Sequence, residues 1–118
     1  MPRDIVSITP LSKNADRADA AGVAINTTNG ASVNVGKHRK TYVVVTNTSV
    51  STRVVTVKRN PAVQDPVPSD YTTNPIAATT GVQLLGPFDG RYVQADGNIY
   101  LDFVSGHTGV VKCYEVPA

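Results

Sequence analysis

Residues 81–116, GVQLLGPFDGRYVQADGNIYLDFVSGHTGVVKCYEV, constrain the fold more than any other stretch, because their apolar residues recur with period two. Ile99, Leu101 and Phe103 fall on one face of an extended chain, and Tyr100 and Asp102 fall on the other. That alternation marks a half-buried strand. Asp96-Gly97 just ahead supplies the positive-φ turn chemistry that fixes where the strand begins. Gly106 and Gly109 flank a short polar link into a second run, Val110 to Val116, and the spacing predicts a hairpin. A further strand is expected over Val82 to Leu85, broken at Gly86-Pro87 with Phe88 at a corner.

The same chemistry appears upstream. Residues 41–47, TYVVVTN, are mostly β-branched, with apolar side chains on both faces: Tyr42 and Val44 on one, Val43 and Val45 on the other. Such side chains lose rotamer freedom in a helix and pack well on a pleated surface. Apolar residues on both faces suit a central strand covered on both sides. Residues 53–59, RVVTVKR, put Val55 and Val57 in phase and are expected to return as the partner, in a hairpin turning near Asn47 to Thr52. Val and Thr dominate, with 8 Pro and 9 Gly as punctuation, and the 118 residues fit one all-β domain.

Residues 1–35 read as an N-terminal arm and residues 36–118 as the domain. Ile5, Val6 and Ile8 predict a short strand stopped by Pro10, and Val33 and Val35 another short extended piece. Residues 12–21 tolerate helix, with Ser12 as a cap, but have no amphipathic stripe. Such an arm can fold back as an edge strand or reach a neighbouring molecule. Residues 60–80 carry Pro61, Pro66, Pro68 and Pro75, whose missing amide donors exclude a central strand or a long helix. They predict a surface loop with one hydrophobic foothold, Tyr71 or Ile76.

Charge is unevenly placed although the net value is only +2. No acid occurs between Asp19 and Asp65, where Lys37, Arg39, Lys40, Arg53, Lys58 and Arg59 fall. A basic field of this kind attracts nucleic acid or an acidic protein surface, and it equally suits strand edges that must not aggregate. Only Tyr42 interleaves with these residues, so a stacking surface for nucleic acid is not expected. With no signal-peptide pattern and no apolar run that spans a bilayer, synthesis in the cytosol is expected. Cys113, the single cysteine, reads as a small buried hydrophobe.

Patterns for reactive chemistry are weak. Nucleotide-loop and metal spacings are missing from the sequence. Asp102, Ser105 and His107 are the residue types of a hydrolase triad, but one strand and its link cannot converge them as a triad requires. Asp89, Asp96 and Asp102 lack the alternation of a calcium loop, and Asp89 and Asp96 suit turns. No cofactor, no metal and no catalytic residue are expected.

Residues 36–47 (GKHRKTYVVVTN), the Val-Thr strand ending near Pro61, the Gly86 to Phe88 corner, the Tyr92 to Gly97 turn and the strand ending in Asp102-Phe103 together resemble a family. It comprises small auxiliary head proteins of tailed bacteriophages, described as decoration or minor capsid proteins. The likeness spans about residues 36–116, and its motifs are those of a fold. It implies an antiparallel β-sandwich or jelly-roll-like barrel, here with an extended N-terminal arm. It also implies a structural protein on the virion's capsid surface, without turnover, that clamps neighbouring major capsid subunits and self-associates as trimers or other clusters. The capsid-facing residues expected on this basis are Arg3, Ile5 and Val6 of the arm with Lys37, Arg39, Lys40, Arg53, Lys58 and Arg59. Competing expectations are a tail or neck component and a carbohydrate-binding module; the latter should show aromatic platforms, whereas Trp is missing and aromatics make up 6%.

Overall fold

The computed structural model describes residues 3–12, 14–35, 40–61, 70–88, 91–94 and 96–116. They form ten strands: β1 (Asp4–Val6), β2 (Ile8–Pro10), β3 (Val23–Ala24), β4 (Ala31–Asn34), β5 (Lys40–Asn47), β6 (Val55–Val57), β7 (Tyr71–Thr72), β8 (Gly81–Leu85), β9 (Asn98–Phe103) and β10 (Val110–Val116). The described residues include no helix. The first sheet runs β1-β4-β9-β6-β7 and the second β2-β10-β5-β8, with β3 also pairing β10. Most pairs are antiparallel; β1 runs parallel to β4, and β2 parallel to β10.

The two sheets bury their inward alternates against each other, as a sandwich requires. Val33, Ile99, Leu101, Val55 and Val57 come from the first, and Val43, Val45, Val111 and Cys113 from the second, all essentially without solvent contact. Each such side chain contributes about 1.5–3 kcal/mol of transfer free energy. The period-two reading of residues 98–103 therefore holds residue by residue. β5 is central, between β10 and β8, and Val44 on its outer face is also buried. Part of that face is crossed by the chain near Asp19, which hydrogen-bonds Lys112 and the Tyr114 hydroxyl.

Two expected hairpins are not formed. β5 and β6 lie in different sheets, and so do β9 and β10. Both links, residues 48–54 and 104–109, arch across the roughly 10 Å between sheets. Alternation reports which face of a strand is buried, not which strand lies beside it, and a polar link serves an arch as well as a turn. Here the links hold each other. Thr48 N donates to Thr108 O (2.9 Å), the Thr48 and Thr108 hydroxyls are 2.9 Å apart, and His107 Nε2 lies 3.0 Å from Thr46 O.

Of the two fates open to the N-terminal stretch, the structure takes the edge strand. β1 joins the first sheet beside β4, β2 joins the second beside β10, and Ser7 between them is where the chain changes sheet. Residues 3–12 and 14–35 thus belong to the same sandwich as the rest, not to a free arm, because Val6 and Val33 are core residues. Residues 14–22 carry no helix, in keeping with their missing apolar stripe. Within the Pro-rich stretch, Ile76 is the foothold: it is buried and bridges Arg53. β7 at the edge of the first sheet is the strand its prolines still permit, and residues 62–69 lie outside the described residues.

Candidate functional site: the charged outer face of the first sheet

The alternation that sends Ile99, Leu101 and Phe103 inward turns Tyr100 and Asp102 outward. In register beside them stand Ser32 of β4 and Thr56 of β6. Arg3, just before β1, reaches across this face. Its guanidinium carbon lies 4.8 Å from the centre of the Tyr100 ring. Its Nη1 donates to Leu101 O (2.8 Å) and to Asp102 Oδ1 (2.5 Å).

Gly30 makes that path possible. It has φ +71°, and a Cβ there would sit 2.5 Å from Arg3 Nη1 and 2.6 Å from Leu101 O. Only glycine meets both conditions without displacing the arginine.

Lys58 and Arg59, directly after β6, complete the arrangement. Lys58 Nζ is 2.9 Å from Asp70 Oδ2 and 3.8 Å from Asp102 Oδ2, so it bridges the two carboxylates. The Arg59 backbone amide donates to Asp70 Oδ1 at 2.8 Å. That bond first, and the Lys58 ammonium second, hold the Asp70 carboxyl below its ordinary pKa. Gln94 Nε2 donates to the carbonyls of Lys58 (3.1 Å) and Arg59 (2.8 Å), fixing the backbone from behind. The Tyr100 hydroxyl donates to Asp96 Oδ2 at 2.6 Å, which raises the phenol pKa and lowers that of the carboxyl.

Arg3, Lys58, Arg59, Pro61, Asp70, Gln94 and Tyr100 line a cleft of about 390 Å³. Its ion pairs are partly exposed, and each is worth about 0–1 kcal/mol. Their effect is to orient donors more than to stabilise the fold. Chemically the face offers charge-assisted hydrogen bonds to carboxylates and carbonyls beside an aromatic ring.

Of the residues expected to face a partner, Arg3, Lys58 and Arg59 are brought together here. Ile5 lies in register with Ser32 on the same face and is 78% exposed. Val6 points the other way into the core. Arg53 is at the arches, where its Nε donates to Ser49 Oγ at 3.2 Å. Lys40 opens β5 in the second sheet, opposite Val116. Lys37 and Arg39 lie outside the described residues. Reading charge alone missed Asp70, Gln94, Tyr100 and Asp102; the outward alternation of Tyr100 and Asp102 was the available signal, and Gln94 had none.

The residue types of a triad are kept apart. Asp102 is engaged outside by Arg3 and Lys58, whereas His107 is buried in the second arch. Compared with protein-family models, with curated proteins and with solved structures, the chain finds no match.

Proposed function

We propose that this chain is a structural virion protein that binds the exterior of a bacteriophage capsid and clamps neighbouring major capsid subunits. The observation that carries this reading is the convergence of Arg3, Lys58 and Arg59, from two distant parts of the chain, on one outer face beside exposed Ile5. The resemblance over residues 36–116 supplies the class of partner. A pre-oriented set of donors around Tyr100 suits an acidic, hydrogen-bonding protein surface, and many copies on one shell raise the effective concentration of each further contact. In this reading the protein is made in the host cytoplasm, carried on the capsid surface, and needs no cofactor.

The experiment is co-sedimentation of the purified protein with empty capsids. Wild type is expected in the pellet, less of it as salt rises. The double charge reversal Lys58→Glu with Arg59→Glu, and separately Ile5→Asp, should each weaken binding by about tenfold or more, equivalent to 1.4 kcal/mol. Val50→Ser, at the exposed tip of the first arch, should not. A wild type that stays in the supernatant at every salt concentration sinks the proposal, and charge-reversed protein that pellets like wild type removes this face from it.

A further inference from the structure

Sheet edges are templates for pairing, and natural sandwiches guard them with charge, proline or brevity. Four edges here follow that rule, two-residue β3 beside β10 by its brevity. β1 begins at Asp4 beside Arg3, β2 ends in Pro10, and β7 has two residues next to Asp70. β8 does not. It is five residues long, GVQLL, with neither charge nor proline. Among the described residues β5 is its one strand neighbour. Val82 and Leu84, on the outer face of the second sheet, are 55% and 66% exposed. Leu84 is in register with buried Val44, so the exposed pair extends an apolar surface already begun on β5.

We propose that β8 pairs antiparallel with β8 of a second copy, about a two-fold axis through Gln83. The sequence of the strand is complementary to itself in that register. Val82 meets Leu84 of the second copy and Leu84 meets its Val82, giving four apolar side chains one common cluster. Gln83 faces its own mate with matched donors and acceptors. Gly81 meets Leu85, whose side chain is already in the core, so the ends bring no bulky pair together. No like charges are brought together, which cross-strand pairing penalises.

The second sheet then continues unbroken through eight strands, β2-β10-β5-β8 and the same four in reverse. An isologous contact of this kind closes at two copies and does not propagate. Beside β8 a groove of about 280 Å³, walled by Tyr71, Thr73 and Phe88, leaves room for the second Gln83 on the inner side.

The test uses the full chain without capsids, so its failure is distinct from failure of the capsid reading. Opposed residues of antiparallel strands have Cα atoms about 4.5–5.5 Å apart, within disulfide reach. Gln83→Cys should therefore give a covalent dimer under mild oxidation, whereas Val50→Cys, at a position 91% exposed, should remain monomeric. The native Cys113 is buried and common to both variants. By light scattering, wild type should show a mass rising with concentration from one copy towards two. Leu84→Lys should abolish that rise while leaving the circular-dichroism spectrum unchanged.

A wild type monomeric at all concentrations, with Gln83→Cys cross-linking no faster than Val50→Cys, overturns the proposal. So does a Leu84→Lys protein that keeps the dimer mass. If all variants are monomeric and Leu84→Lys instead loses capsid binding, the strand serves a foreign partner and self-pairing is refuted.

Discussion

Asn47, at the end of β5, is fully buried and uses its whole amide. Its Nδ2 donates to Ser51 O (2.9 Å) and Ile76 O (3.0 Å), and its Oδ1 accepts from Ser49 N (3.0 Å) and Ser49 Oγ (2.5 Å). One side chain thereby replaces the backbone pairing that a strand loses when it leaves its sheet. Asn47→Ala leaves the buried Ser49 amide without its acceptor, at about 1–3 kcal/mol, while Ser51 O and Ile76 O each lose one donor but keep Ser49 Oγ and Arg53 N. The expected loss is about 1–3 kcal/mol, read as a lower urea midpoint at unchanged slope.

His107 holds the other arch. A carbonyl only accepts, so Nε2 carries the proton towards Thr46 O, and Nδ1 is left buried without a hydrogen-bond partner among the described residues. Burial pushes the imidazole pKa below its ordinary 6.5; the Thr46 carbonyl opposes this, and the charge of Arg53 adds to it. The unfolded chain thus takes up this proton at a higher pH than the folded one. The stability that neutral His107 confers is complete above about pH 6.5 and is lost as pH falls from there through the lower folded value. Urea midpoints measured between pH 8 and pH 5 should decline below about 6.5 in wild type, and His107→Phe should lack that component.

At the scale of elements, the strands themselves were legible. Val43 and Val45 on one side with Tyr42 and Val44 on the other announced a central strand, Pro10 a stop, and Ile99 to Phe103 a face. Their partners were not. Nothing in residues 48–54 or 104–109 distinguishes a turn within a sheet from a crossing between sheets until Asn47 and His107 are seen buried, and both are residue types that read as surface. The candidate site divides the same way: Arg3, Lys58 and Arg59 stand out by charge, while Asp70 and Asp102 become their partners only through sheet register.

The N-terminal stretch carries an element-scale prediction of its own. Val6 of β1 is a core residue, so Val6→Asp puts a carboxylate among apolar neighbours at a cost of several kcal/mol. Thermal unfolding should shift down by roughly ten degrees or more, since about 1 kcal/mol corresponds to 4–8 °C in a domain near this size. Exposed Ile5→Asp should leave the melt nearly unchanged.

The whole molecule has a radius of gyration of 14.1 Å, against about 13.5 Å expected for a compact chain of this length. Among the described residues no arm stands off from it. Residues 3–10 lie along both sheets, and β4 connects them to β9 at the centre of the first. The second sheet closes with β2 parallel to β10, Ile8 beside Cys113 and Pro10 beside Glu115. β1, which precedes β2, likewise runs parallel to its neighbour β4, and β10 is the last strand, so tension applied between the ends pulls both parallel pairs along their length. Their hydrogen bonds are then loaded together in shear instead of being unzipped singly. Stretched by its termini in a force spectrometer, the protein should hold and then give way in one abrupt rupture, a grip that an antiparallel terminal pair peeled from one end would lack.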